Sequence, residues 1–127
     1  TTLYFYDGSQ VCEEQDAGNA PQATYVYGQS SDEVLKMRRA GADFYYHSDG
    51  LYNVMAITDT QNAVAERYER GDFGRPLDPV TLAPLSGDPS IIGNPCLFHG
   101  QRYDPETGLT HYHGRYLDHR AGRFTTR

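Results

Sequence analysis

Three of the five histidines fall close together, at His111, His113 and His119. On an extended strand His111 and His113 project from one face, and two imidazoles so placed are an admissible zinc pair, with Asp118 or His99 as further donors. No Cys or Glu stands at a typical partner spacing, so the plainer reading makes them ordinary strand residues, with no metal and no cofactor expected. Nucleophilic chemistry finds less support. There is no Gly-x-Ser-x-Gly elbow, and Cys12 and Cys96 lie in no activating context. The two cysteines have no CxxC spacing; a single disulfide between them is one option, two buried thiols the preferred one. Glu13 and Glu14 are adjacent, and on a strand they point to opposite faces, so a solvated turn edge is expected rather than a catalytic couple. Gly71-Asp72-Phe73-Gly74 resembles a phosphate loop only superficially, because no helix follows to offer a positive end. No catalytic residue is therefore expected.

The elements that would carry these residues read as strands and turns. The chain has 127 residues with 11 Tyr, 5 Phe and no Trp beside 13 Gly and 7 Pro. Aromatic residues suit a pleated, half-buried surface, while Gly and Pro set turn angles. The length fits one domain. The net charge of −6 argues against the phosphate backbone of a nucleic acid as the main partner. No apolar run is long enough for a transmembrane helix or a secretory signal, so membrane insertion is not expected; the start at Thr1, without Met, looks processed or excerpted.

Alternating aromatics followed by turns recur along the first half. Tyr4 and Tyr6 precede Asp7-Gly8, Tyr25 and Tyr27 precede Gly28, Phe44 and Tyr46 precede Asp49-Gly50, and a weaker unit joins Tyr68 to Gly71, Phe73 and Gly74. The steps from Tyr6 to Tyr27, Tyr46 and Tyr68 are 21, 19 and 22 residues, so each unit of about twenty contributes one β-hairpin. Cross-strand packing is the expected role of these tyrosines, with a sugar- or protein-binding surface as the alternative. Ser30–Arg39 carries a capping-box pattern for a short helix, yet a helix there would break the hairpin cadence on both sides, so strand is favoured. Residues 71–95, with five Pro and four Gly, read as an irregular excursion over the surface. From residue 96 the closing segment returns to short strands, with Asp104-Pro105-Glu106-Thr107-Gly108 as a strong hairpin loop.

This ordered series resembles the RHS repeat-associated core, the C-terminal end of the tyrosine-aspartate repeat shell in bacterial RHS and insecticidal toxin-complex proteins and in teneurins. The resemblance is carried by Tyr45-Tyr46-His47-Ser48-Asp49-Gly50-Leu51, Arg67-Tyr68, Phe73-Gly74-Arg75-Pro76, Asn94-Pro95 to Phe98, Gly100-Gln101-Arg102-Tyr103-Asp104-Pro105-Glu106-Thr107-Gly108-Leu109, Arg115-Tyr116-Leu117-Asp118 and Gly122-Arg123-Phe124. Residues 1–24 fit as one looser repeat. Gly50, Tyr52 and His113 depart from the common pattern.

The resemblance implies an all-β fold of spiralling antiparallel hairpins over residues 1–70, the loop over 71–95 and closing hairpins over 96–127. It implies a wall or plug segment of a hollow shell, secreted or at a bacterial-type cell surface. The family's autoprotease motif would lie beyond Arg127, so no activity is carried over. A short piece of such a sheet leaves unpaired edges. The expected partners are the rest of a larger chain or identical copies, with polymerisation through the edges as the runner-up and a glycan- or protein-binding module third.

Overall fold

The computed structural model describes residues 2–8, 10–29, 33–71, 74–85, 88–112 and 115–125. It is all-β, as expected. Seven strands follow one another in a single antiparallel sheet: β1 (Thr2–Asp7), β2 (Gln10–Asp16), β3 (Pro21–Tyr27), β4 (Val34–Arg39), β5 (Ala42–Ser48), β6 (Val54–Thr58) and β7 (Val64–Arg67). Two short strands, β8 (Glu69–Arg70) and β9 (Pro76–Leu77), pair with each other. The closing hairpins form a second antiparallel sheet from β10 (Arg102–Asp104), β11 (Leu109–Tyr112), β12 (Arg115–Asp118) and β13 (Arg123–Phe124).

The repeat is more regular in space than the aromatic spacing suggests. Tyr4, Tyr25 and Tyr46 stand opposite Glu14, Met37 and Ile57 on the next strand, so the equivalent tyrosines recur every 21 residues. Tyr6 and Tyr27 belong to a second row, opposite Val11 and Val34, so the 19-residue step from Tyr27 to Tyr46 crosses between the two rows. Each even strand also carries one extra residue, at Cys12, Leu35 and Met55, between a valine and the residue facing the tyrosine. Such bulges bend a strand and increase its twist, and further bulges at Gln22 of β3 and Ala65 of β7 add to the bending of the sheet.

Period-two alternation then sorts the two faces. Val11, Ala23, Tyr25, Val34, Met37, Tyr46, Val54 and Ile57 are buried on the inner face, where Cys96, Leu97 and Tyr103 from the closing segment cover them. The outer face keeps Val26, Leu35, Tyr45 and Met55 exposed among charged residues. Val34–Arg39 is strand, in line with the hairpin cadence; Ser30, Ser31 and Asp32 of that segment lie outside the described residues.

Two expectations need correction. The 71–95 excursion is irregular apart from β9, but it does not stay on the surface: Ser90 and Asn94 are buried at 7% and 3% exposure. The Asn94 side chain bonds the Tyr46 and Tyr68 hydroxyls and the Ser90 hydroxyl donates to Glu66, and these contacts draw the loop inward. The cysteines are both free thiols, with Cys96 buried and Cys12 only half-buried at a bulge, where its thiol donates to the Phe5 carbonyl at 3.3 Å.

Candidate functional site

A concavity of about 540 Å³ opens between β1 and the closing sheet. Tyr4 and Tyr6 wall one side; Tyr116, His111 and the Asp104–Glu106 turn wall the other. Glu14, Arg39 and Arg102 form its floor.

The floor is an ionic hub. Strand alternation turns Glu14 inward while its neighbour Glu13 faces out, and Glu14 is 6% exposed. The solvated turn edge expected of Glu13-Glu14 holds for neither, since both lie inside β2, with Glu13 half-buried and Glu14 buried. Glu14 takes the repeat position that Met37 and Ile57 fill in the next two hairpins. Its carboxylate accepts from Arg39 Nη2 at 3.1 Å, from Arg102 Nη2 at 2.7 Å and from the Tyr25 hydroxyl. The Arg102 guanidinium lies against the Tyr4 and Tyr25 rings, 5.1 and 5.5 Å from their centroids, so its charge is held by π-faces as well as by the carboxylate.

The electrostatics follow from this geometry. Burial pushes the Glu14 pKa up, but the Tyr25 hydrogen bond and the charges of Arg102 and Arg39 outweigh it and hold the carboxyl below its ordinary value. Burial raises the Tyr25 hydroxyl and also raises the Cys96 thiol, to about 11. All three shifts move away from neutrality, the opposite of what a general base or thiolate nucleophile at neutral pH requires.

A second polar node lies alongside. Asn94 Oδ1 accepts from the Tyr46 hydroxyl at 2.6 Å and from Cys96 N at 3.0 Å, while Nδ2 donates to the Tyr68 hydroxyl at 3.1 Å and to the Cys96 carbonyl at 2.9 Å. One side chain thus ties two repeat tyrosines to the closing segment. Glu66 accepts from Ser90 Oγ at 2.6 Å and from Tyr68, holding the entry to the same segment. A third node is Asp49, paired with Arg70 at 2.8 Å and with Asn53 Nδ2 at 3.0 Å; Asn53 Oδ1 in turn accepts from His99 N at 2.8 Å.

The motif residues fall into place around these nodes. Tyr46, Tyr68 and Tyr103 are buried, and Arg102 is the hub cation. Asp104 accepts from Glu106 N and Thr107 Oγ1 to shape its turn, which ends at Gly108 with φ +74°. Gly122 does the same at φ +68° in the turn before β13. Gly74 has φ +83°, and a Cβ there would stand 2.3 Å from the Phe98 ring. Arg115 stacks on Phe124 at 3.8 Å and Tyr116 leans on His111 at 5.0 Å. Arg75 is half-buried and Arg123 exposed. His111 lies on β11 and His119 in the turn after β12; His113 lies outside the described residues. Among the described residues no group of three His, Cys, Asp or Glu is placed to hold a metal ion.

Glu14 and Arg39 are the site residues that sequence reasoning missed. The available signal was the interruption of an apolar repeat position by an acid, readable only once the bulges fix the register.

No family model matches the chain. It is similar, at 33% identity over 97% of its length, to the tRNA3(Ser)-specific nuclease WapA of Bacillus spizizenii, and at 30% over 97% to the tRNA nuclease WapA of Bacillus subtilis strain 168. Teneurin-3 of Mus musculus is 26% identical over 99% of the chain. The chain spans about 5% of the length of each of these relatives. Similarity to teneurins agrees with the resemblance carried by the sequence motifs, and the all-β hairpin architecture agrees with the fold that resemblance implies.

Proposed function

We propose that this chain is a non-catalytic structural module of RHS-core type, a wall or plug segment within a much longer secreted or cell-surface protein. One observation carries the reading: a sheet whose strands follow strict chain order ends at β1, every residue of which is exposed, including Leu3, Tyr4, Phe5 and Tyr6. A bare edge with large apolar residues is a surface built to be covered. Relatives about twenty times longer supply the setting in which it would be.

The test is amide hydrogen exchange on the chain alone and on a longer polypeptide containing it. The β1 amides should exchange freely in the first and be protected in the second; free exchange in both sinks the wall reading. Regular fibres from the isolated chain under negative stain would instead favour the polymerising subunit. The WapA relatives are named as tRNA nucleases; the net charge of −6 and the pKa shifts of Glu14, Tyr25 and Cys96 away from neutrality support the non-catalytic reading instead. Incubation with tRNA should leave it intact, and cleavage that scales with the chain's concentration would overturn the non-catalytic assignment.

A further inference from the structure

We propose that the open edge of β1 accepts one antiparallel strand in a defined register, supplied by a preceding segment of the same polypeptide, with the pattern Val-x-x-Φ, where Φ is a large apolar residue. This rests on the wall reading and deepens it.

The register comes from the strands already paired. Entering each odd strand after the first, the inner residue of the preceding strand sits two positions before the repeat tyrosine: Glu14 opposite Ala23, Met37 opposite Phe44, and Ile57 opposite Glu66, with the tyrosines at Tyr25, Tyr46 and Tyr68. The outer neighbour keeps step in all three, Glu13 opposite Thr24, Lys36 opposite Tyr45 and Ala56 opposite Arg67. Three interfaces thus share one rule. Applied to β1, whose tyrosine is Tyr4, it places the incoming Φ opposite Thr2 and its preceding residue opposite Leu3.

Exposure agrees with a missing neighbour of that kind. Tyr25 and Tyr46, each flanked by strands on both sides, are 6% and 8% exposed, whereas Tyr4 in the same repeat position is 48% exposed. The cleft beside Tyr4 and Tyr6 gives inward side chains of an added strand somewhere to go. The pattern itself is read from Val34-Leu35-Lys36-Met37 and Val54-Met55-Ala56-Ile57, and Val11-Cys12-Glu13-Glu14 follows it except for the acid at Φ; in all three the valine is buried and the second residue is the bulge. A second copy of the chain is a poor donor, because the strands carrying this pattern, β2, β4 and β6, are each paired on both sides within their own sheet.

The test uses the full chain and a synthetic peptide copying residues 53–59, which contains the β6 pattern. Titrated peptide should slow exchange of β1 amides and give cross-strand proton contacts between the peptide's isoleucine and Thr2. A peptide with that isoleucine replaced by aspartate should bind about tenfold more weakly or worse, since a large apolar side chain in a core site is lost. Equal binding of both peptides, contacts in another register, or no β1 protection at the highest soluble concentration would each overturn the proposal. So would β1 protection that rises with protein concentration alone, the mark of a second copy. If β1 is nevertheless protected in the longer polypeptide, the wall reading survives and only the register rule fails. Exposed β1 there removes both.

Discussion

Glu14 is a residue at odds with its repeat. At an inner position that Met37 and Ile57 fill with apolar bulk, it brings a charge into the core and holds it only because Arg39 and Arg102 arrive from two other strands. Removing one member of a buried ion pair strands the others, at a cost of about 3–5 kcal/mol, whereas replacing the whole set with apolar residues is often neutral or stabilising. Glu14→Met alone should therefore lower the urea midpoint sharply. The triple change Glu14→Met, Arg39→Leu and Arg102→Met should restore most of it, because methionine can keep the contact Arg102 makes with the Tyr4 and Tyr25 rings. A triple variant no better than the single one would mean that the hub supplies net stability.

Turns illustrate what the sequence makes legible at the scale of elements. Asp16, Asp49 and Asp59 each accept two backbone N–H groups from residues two and four ahead, and each loop ends in a left-handed residue, Asn19, Tyr52 or Asn62. Aspartate suits this by mimicking a backbone turn with its side chain, so an aspartate followed three residues on by Asn or Tyr marks these turns in advance, and only Asp49 also follows a run of alternating aromatics. The bulges at Cys12, Leu35 and Met55 left no comparable trace, because an extra residue in a strand needs no special residue type. Asn94 was equally opaque: before Pro95 it reads as a turn starter, and its partners Tyr46 and Tyr68 lie 48 and 26 residues away. One turn runs against local preference. The β4–β5 hairpin closes through Ala40 and Gly41, both at positive φ, although alanine has no side chain to ease that conformation. Ala40→Asn should stabilise the protein by about 0.5–1 kcal/mol. That corresponds to a rise in Tm of about 2–5 °C by calorimetry, and a fall would show that the alanine is favoured by something outside the turn.

For the whole molecule, acid is the informative stress. Glu14, Asp49 and Asp78 all have pKa values below their ordinary ones: Glu14 because hydrogen bonds and arginine charges outweigh burial, Asp49 chiefly through Asn53, and Asp78 through backbone N–H groups in its turn. A carboxyl that is a stronger acid when folded binds protons more readily when unfolded, so it stabilises the fold fully above its unfolded-state pKa and loses that contribution as pH falls from there through the lower folded-state pKa. The unfolded-state values are 4.5 for Glu14 and 3.8 for the aspartates, so their contribution to Tm should be level near neutrality and decline below about pH 5. A smaller decline through pH 6.5 should precede it, from His119, whose pKa burial lowers. The triple hub variant should decline less steeply in thermal melts; parallel curves would show that Glu14 contributes nothing to the acid response. The strict chain order of the first sheet also bears on how the protein is made. Each hairpin can pair as soon as it leaves the ribosome or a secretion channel, with no strand waiting for a distant partner. The Glu14–Arg102 contact spans 88 residues, so it can form only after the hairpins have been laid down, and it makes completion of the last segment the step that locks the first.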